Sequence, residues 1–476
     1  MRQSEWGRVI AAAMGPAAEY LDSLPTRRVY RPVLDQEEIR AIVGGPLPEQ
    51  GSAPEDVVAA LARDIEPYLT AHASGRFFGF VIGGLHPAAY GAELLTATWD
   101  QNAGLFPVTP GVAVVEDVAT GWLLDLLDLP SDSSVGLVTG GQMANFTCLA
   151  AARDHVLREA GWDVEKAGLQ GAPKVTVVVK SDQHSTIARA LRYLGLGDSC
   201  AVAVDSDEQA RMDPEALERT LQSVDGPTIV CLESANINTG SFDPFDRVAD
   251  LAQGHRGRGN PTWVHVDGAI GLWARVAPDR KHLTAGLERL DSWSTDAHKL
   301  LNVGYDSGVA ICRNAAAHRA ATSVQASYLI QSEGATRDPL DWVPEFSRRA
   351  RGTALYATLK SLGRSGVTDL VDRTHQLAKL FAEHLTASGK VRLLNDVVFN
   401  QVVVQWIAPN GEHDAFNDEI MRRVQEEGTA FFSGTTWNGS RLMRISVSDW
   451  ATDEDDVDRA VASLLHHAEE AARAQT

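Results

Sequence analysis

Four groups of residues in this chain have types and spacings suited to chemistry. Lys299 lies in STDAHKLLNVGYDSG (294–308), a run of mostly small, apolar or turn-forming residues. An amine there is either a surface lysine whose stem lies along the protein or a nucleophile held beside a ligand. Asp267 ends an apolar run in VHVDGAIG. A carboxylate at that place is costly unless it meets a positive partner or caps the turn that follows. His184 follows another apolar run in KSDQHSTIARA and reads as a helix cap or as an imidazole offered to a ligand. Gly140 and Gly141 precede a helical stretch in VTGGQMANFTCLAAARD. A helix N-terminus presents unpaired N–H groups and a positive dipole end, and glycines let an anion approach closely.

Together, an amine, a strand-end carboxylate, a ring-sized histidine and a glycine-lined anion site meet the needs of pyridoxal phosphate. The lysine forms the Schiff base. The aspartate keeps the pyridine nitrogen protonated so that the ring accepts electrons. The helix N-terminus holds the phosphate. TGGQMAN lacks the third glycine of a G-x-G-x-x-G loop, which argues against a nicotinamide site.

These residues need a scaffold, and the pattern around them predicts one. Short β-branched, apolar runs (SSVGLVTGG, KVTVVVK, CAVAVD, PTIVCLES, PTWVHVD, SGVAICR) occur with helical stretches between several of them, such as HSTIARALRYLG and DPEALERTLQS. Strands apolar on both faces that alternate with helices indicate a mostly parallel, doubly wound α/β sheet. Such sheets bind ligands at the carboxyl ends of their strands. Residues 1–85 read as a helical segment and 86–355 as the large domain. Residues 356–476 read as a small α+β domain, with strand-like VVFNQVVVQWI and LMRISVSD set among helices.

Composition limits the classes of function. The 476 residues are 44% hydrophobic and 22% charged, as in soluble globular proteins. A net charge of −20 disfavours nucleic acid and anionic membranes as partners. No run approaches the roughly 18 apolar residues of a membrane span. Cys148, Cys200, Cys231 and Cys312 are far apart, without metal-like spacing, and suit buried thiols in a reducing cytoplasm.

The motifs also resemble a family. Asp267 stands 32 positions before Lys299, in the contexts HVDGAIG and DAHKLLNV. With RFFGFV (76–81), TWDQNAGLFPVTP, TGGQMAN and FSRRAR (346–351) in order, the chain resembles the group II pyridoxal-phosphate-dependent amino acid decarboxylases, which act on aromatic amino acids, histidine or glutamate. The resemblance implies fold-type I, a homodimer, and decarboxylation of an L-amino acid to the amine and carbon dioxide. It implies Lys299 as the Schiff-base lysine, Asp267 as the pyridine partner and His184 as the ring-stacking histidine. Ala269 would pack against the ring, and His298, Gly141 and Gln142 would contact the phosphate. Asn236 or Asn238, in NINTGSFDP, would replace a polar contact made by threonine in many relatives.

One departure concerns the proton donor. Aromatic-specific relatives carry a tyrosine inside a mobile loop. Here that loop is YLIQSEGATRDPLDWVP, with Tyr328 at its entrance and no tyrosine within. An aldehyde-forming enzyme or an aminotransferase on the same fold is the alternative reading. A non-catalytic cofactor-binding protein is the remoter one, which an intact Lys299 and Asp267 disfavour. Phe77, Phe78, Phe80 and Phe106 read either as an apolar substrate pocket or as core. Ser347 stands where histidine-specific relatives have serine.

Overall fold

The computed structural model describes residues 2–31, 35–323 and 337–475. Tyr328 and most of the loop that follows it lie outside them. The large sheet has seven strands: β1 Ser134–Val138, β2 Thr176–Lys180, β3 Ala201–Val204, β4 Thr228–Glu233, β5 Thr262–Asp267, β6 Ser292–Asp296 and β7 Gly308–Cys312. Their order is β1-β7-β6-β5-β4-β2-β3. From β3 through β6 all neighbours are parallel, while β7 runs antiparallel to both β6 and β1.

Strand alternation feeds two cores. Val230, Leu232, Val264 and Val266 enter one, whereas Ile229, Cys231 and Trp263 enter the other. The sheet is therefore covered on both faces, as its uninterrupted apolar strands require. β6 has the sequence SWSTD and no apolar pattern, yet all five residues are buried.

The small sheet contains β8 Val391–Leu393, β9 Gln401–Trp406, β10 Ser433–Trp437 and β11 Ser440–Ser446, antiparallel in the order β10-β11-β9-β8. Helix Gly352–Ala387 links the two bodies. Leu355 and Leu359 pack in the large core, and Phe381 and Leu385 pack in the small one. It turns at Gly363, whose φ of 61° suits a residue without Cβ. At the N-terminus, helix Arg2–Ser23 packs along helix Pro54–Ile65. The segment after these helices crosses to the small body: Phe78 N–H donates to Phe431 O at 2.8 Å, and Ser446 N–H donates to Phe78 O at 3.0 Å. Phe77 stacks on Phe431, and Phe78 packs against Phe381 and Phe432. Both rings are core.

Asp449, just after β11, is an electrostatically costly feature of this junction. It is buried, Oδ1 accepts Ala451 N–H at 2.7 Å, and Oδ2 has no partner among the described residues. Burial pushes its carboxyl up from 3.8 to about 7. Between those values the folded chain holds a proton that the unfolded chain has released. The associated stability is complete below pH 3.8 and is lost as pH rises towards 7. Asp449→Asn is expected to melt about 5 °C above the parent at pH 8, with a smaller difference at pH 4, in thermal unfolding scans. A gain that is larger at acid pH would refute this account.

Candidate active site

The carboxyl ends of the central strands gather charge. β4 ends in Glu233 and β5 in Asp267, side by side in register, and β6 ends in Asp296. Three residues beyond Asp296, Lys299 lies in a turn that leaves its backbone no freedom. Asn302 N–H donates to Lys299 O at 3.0 Å. Asn302 Nδ2 donates to Leu300 O and Ser448 O, and its Oδ1 accepts N–H from Gly84 and Trp450. Gly83 packs so closely that a Cβ there would lie 2.0 Å from Lys299 O. The neighbours Ala297, Leu300 and Leu301 are buried. The clamp holds the main chain while the Lys299 side chain lines a cleft.

In the cleft Lys299 Nζ lies 3.0 Å from Asp296 Oδ2. His298 Nε2 lies 3.5 Å from Asp296 Oδ1, and His298 Nδ1 accepts Ser307 N–H at 3.3 Å. Burial holds the His298 imidazole below its ordinary range, although Asp296 pulls the other way. Asp267 receives two donors and has the Thr186 hydroxyl near by. Asn145 Nδ2 reaches Oδ2 at 2.8 Å, Thr186 Oγ1 lies 3.4 Å from Oδ2, and Ala269 N–H reaches Oδ1 at 3.1 Å.

His184 caps helix Ser185–Tyr193. Its Nδ1 accepts Thr186 N–H at 3.3 Å and lies 2.8 Å from Thr186 Oγ1. With that lone pair engaged, the ring proton resides on Nε2. His184 N–H donates to Glu233 Oε1 at 3.0 Å. Glu233 is itself paired with buried Lys180 at 2.7 Å. Burial opposes the charge of Lys180, but Asp243 and Glu233 outweigh it and hold the ammonium above its ordinary range.

The anion cradle is the start of helix Gly141–Glu159, where Gly140 occupies the cap position without a side-chain bond. A Cβ on Gly141 would lie 2.8 Å from Asp296 Oδ2, so a larger residue would fill the cradle. Gly141, Gln142, His184, Asp267, Ala269 and Lys299 all line this one cleft. Ser234 also lines it, and its buried hydroxyl has no partner among the described residues. An amine, an oriented carboxylate, a glycine cradle and an orphan hydroxyl fit pyridoxal phosphate. Asp296 and Glu233 on the wall are ill-suited to an anion, and Lys299 and Lys180 offset their charges.

Other expected residues fall elsewhere. Asn236 Nδ2 donates to Glu233 Oε2, and Asn238 Oδ1 accepts Thr435 Oγ1–H, so both amides serve the turn and the small body; Ile237 between them lines the cleft. Phe80 is 60% exposed, Phe106 is half-buried and Ser347 is exposed, and none of the three is part of the cleft wall in a single chain. The sequence reading did not single out Asn145, Thr186, Glu233 or Asp296. Glu233 could have been found by the rule that found Asp267, since it too ends an apolar strand. Asp296 lies three residues before the lysine. Arg444 on β11 was also passed over. Burial pushes its guanidinium down to about 10, and among the described residues its hydrogen bonds go to the Ile237 carbonyl and Ser433 Oγ, each at 3.4 Å.

Comparison with known proteins identifies the family. The chain is 27% identical over 467 residues to tryptophan decarboxylase 1 of Oryza sativa subsp. japonica, covering 92% of this chain and 88% of that one. It is 26% identical to the cysteine sulfinic acid decarboxylase of Mus musculus, covering 79% and 76%. The crystal structure of Oryza sativa TDC with PLP and tryptamine superposes with a TM-score of 0.90 at 22% identity, covering 98% of both chains. Residues 38–407 match the family model described as the pyridoxal-dependent decarboxylase conserved domain. The chain belongs to the pyridoxal-dependent decarboxylase family, and its cofactor is pyridoxal 5'-phosphate.

Proposed function

We propose that the Lys299 cleft removes the α-carboxylate of an L-amino acid with an aromatic or similar side chain, releasing carbon dioxide and the amine. The observation that carries this reading is the placement of Lys299 and Asp267 on the wall of one cleft beside the Gly140–Gly141 cradle. Lys299 would hold the cofactor covalently, Asp267 its ring nitrogen, Gly141 and Gln142 its phosphate, and His184 and Ala269 the two faces of its ring. Bound there, the cofactor supplies the sink for the electron pair freed when the Cα–carboxylate bond breaks.

The protein's own groups bind and move protons around that event. Arg444 is a buried cation that forms no ion pair among the described residues, and it adjoins Ile237 of the cleft wall. Such a charge calls for an anion, and the substrate carboxylate supplies one. Lys299 is the only Lys or Arg on the described wall, and Ala235, Ile237 and Ile270 add apolar surface. That lining favours an aromatic side chain over an acidic one. His184 keeps a proton on Nε2 and is the group we assign to deliver it to Cα, directly or through a water.

The chain is further proposed to work as a cytoplasmic homodimer. Its exposed apolar residues include Trp6, Ile10, Leu61, Leu95 and Trp99 on the N-terminal and following helices, and its four cysteines are free and buried.

The test is a screen of the twenty amino acids and close analogues that measures carbon dioxide, amine, aldehyde and peroxide together. Amine should equal carbon dioxide, with an aromatic substrate preferred. Because no tyrosine lies in residues 329–344, some aldehyde leakage is expected, and His184→Asn should increase the aldehyde share several-fold. Oxygen uptake in step with carbon dioxide release by the unmutated enzyme would replace this reading with an aldehyde-forming one.

A further inference from the structure

Behind Asp267 lies a chain of buried polar groups, of which Asn145 reaches the cleft wall. Trp263, His265 and Asp267 alternate along β5, so all three point to the same face of the sheet. On β6, Ser292 is in register with His265, and Ser294 with Asp267. Helix Gly141–Glu159 lies across both strands and brings Asn145 over them.

The hydrogen bonds take one direction when the ionised Asp267, which can only accept, stands at their end. Trp263 Nε1–H can only donate, and it does so to Ser292 Oγ at 2.8 Å. That hydroxyl keeps its own hydrogen to offer to His265 Nδ1, 2.9 Å away. With Asn145 Nδ2 turned to the Asp267 carboxylate, its Oδ1 faces His265 Nε2 at 2.9 Å, which places the ring proton on Nε2. Ser294 Oγ donates to the same oxygen at 2.6 Å. Two donors on its oxygen then hold the Asn145 amide with Nδ2 towards Asp267 Oδ2, 2.8 Å away. Trp263, Ser292, His265, Ser294 and Asn145 are each no more than 1% exposed, so no water competes for these bonds.

We propose that Trp263, Ser292, His265 and Asn145 are positioning residues: a one-way donor relay that fixes the Asn145 amide so that Asp267 is held as an acceptor aimed at the cofactor's ring nitrogen. With the amide reversed, or with His265 in its other tautomer, a lone pair would face the carboxylate. The proposal rests on Asp267 being the ring-nitrogen partner.

Two measurements test it. In cofactor-free protein labelled with ¹⁵N-histidine, His265, assigned by the loss of its signals in His265→Gln, should be the neutral Nε2–H tautomer with a slowly exchanging proton. An Nδ1–H or doubly protonated ring overturns the relay, and this measurement needs no variant to be active. In holoenzyme carrying ring-¹⁵N cofactor, the wild-type nitrogen should be protonated. The near-isosteric Asn145→Asp should shift its resonance towards the unprotonated position and lower kcat at least tenfold with little change in KM. His265→Phe should do the same. His265→Gln, whose Nε2–H can still reach Asn145 Oδ1, should retain most of the wild-type signal and rate. Wild-type shifts in Asn145→Asp and His265→Phe would overturn the relay and leave the role of Asp267 intact. An unprotonated nitrogen in the wild type would overturn both.

Discussion

Lys299→Ala should lose turnover by a factor on the order of 10⁴ or more, because the group that binds the cofactor covalently and the amine nearest the reacting centre go together. The fold should survive the change. The Lys299 main chain is clamped by Asn302 and by the close approach of Gly83, and neither contact uses the side chain. The local cost falls on Asp296. It is buried and loses the cation 3.0 Å away, and among the described residues its Oδ1 has no hydrogen bond, only His298 Nε2 at 3.5 Å. An unpaired buried carboxylate destabilises, so Lys299→Ala should melt below the parent, and Lys299→Ala with Asp296→Asn should recover part of the difference without recovering activity. The chemical check is direct. Borohydride reduction of the wild-type holoenzyme followed by peptide mapping should place the cofactor on Lys299, and the Ala variant should carry none. An adduct on another lysine, or an Ala variant within tenfold of wild-type kcat, would falsify the assignment.

The cleft was partly legible because its residues end apolar strands. Asp267 and His184 stand out where a hydrophobic run stops, and the Gly140–Gly141 pair marks the start of a helix. The same logic failed on β6. SWSTD has no alternation of apolar residues, and its burial is made tolerable by partners on other elements: Trp263 and His265 for Ser292, and Asn145 for Ser294. A polar strand of this kind cannot be recognised until the residues that satisfy it are known. Asp296 was hidden for the same reason. The asparagines of NINTG misled in the opposite way. A polar turn beside a ligand site invites a ligand role, but Asn236 is consumed by Glu233 and by the turn's own N–H groups. Phe77 and Phe78 could not be sorted between pocket and core by sequence. Their partners Phe431, Phe381 and Phe432 lie about 300 residues or more along the chain, in a body that the sequence reading had assigned to a separate domain.

Asp267→Asn should keep the cofactor on Lys299 and still lower kcat by roughly 10³-fold, since an amide cannot hold a proton on the ring nitrogen as a carboxylate does. The substitution is close to isosteric, and the site shows what it disturbs. Asp267 Oδ1 and Oδ2 accept from Ala269 N–H and Asn145 Nδ2–H. Whichever way the new amide turns, its NH₂ meets one of these donors where an acceptor is required, leaving a buried donor unpaired at a cost of about 1–3 kcal/mol. Part of the activity loss could therefore be structural, and Asp267→Glu separates the terms. It keeps the anion but lengthens the side chain, so charge is preserved while the fit to Ala269 and Asn145 is lost. If charge dominates, the Glu variant should be much faster than the Asn variant, and both should melt near the same temperature. If fit dominates, the two should be equally slow. Steady-state kcat and KM, cofactor stoichiometry and thermal midpoints distinguish these cases. Near-normal turnover in Asp267→Asn with full cofactor content would show that the strand-end carboxylate caps the following turn and takes no part in the electron sink.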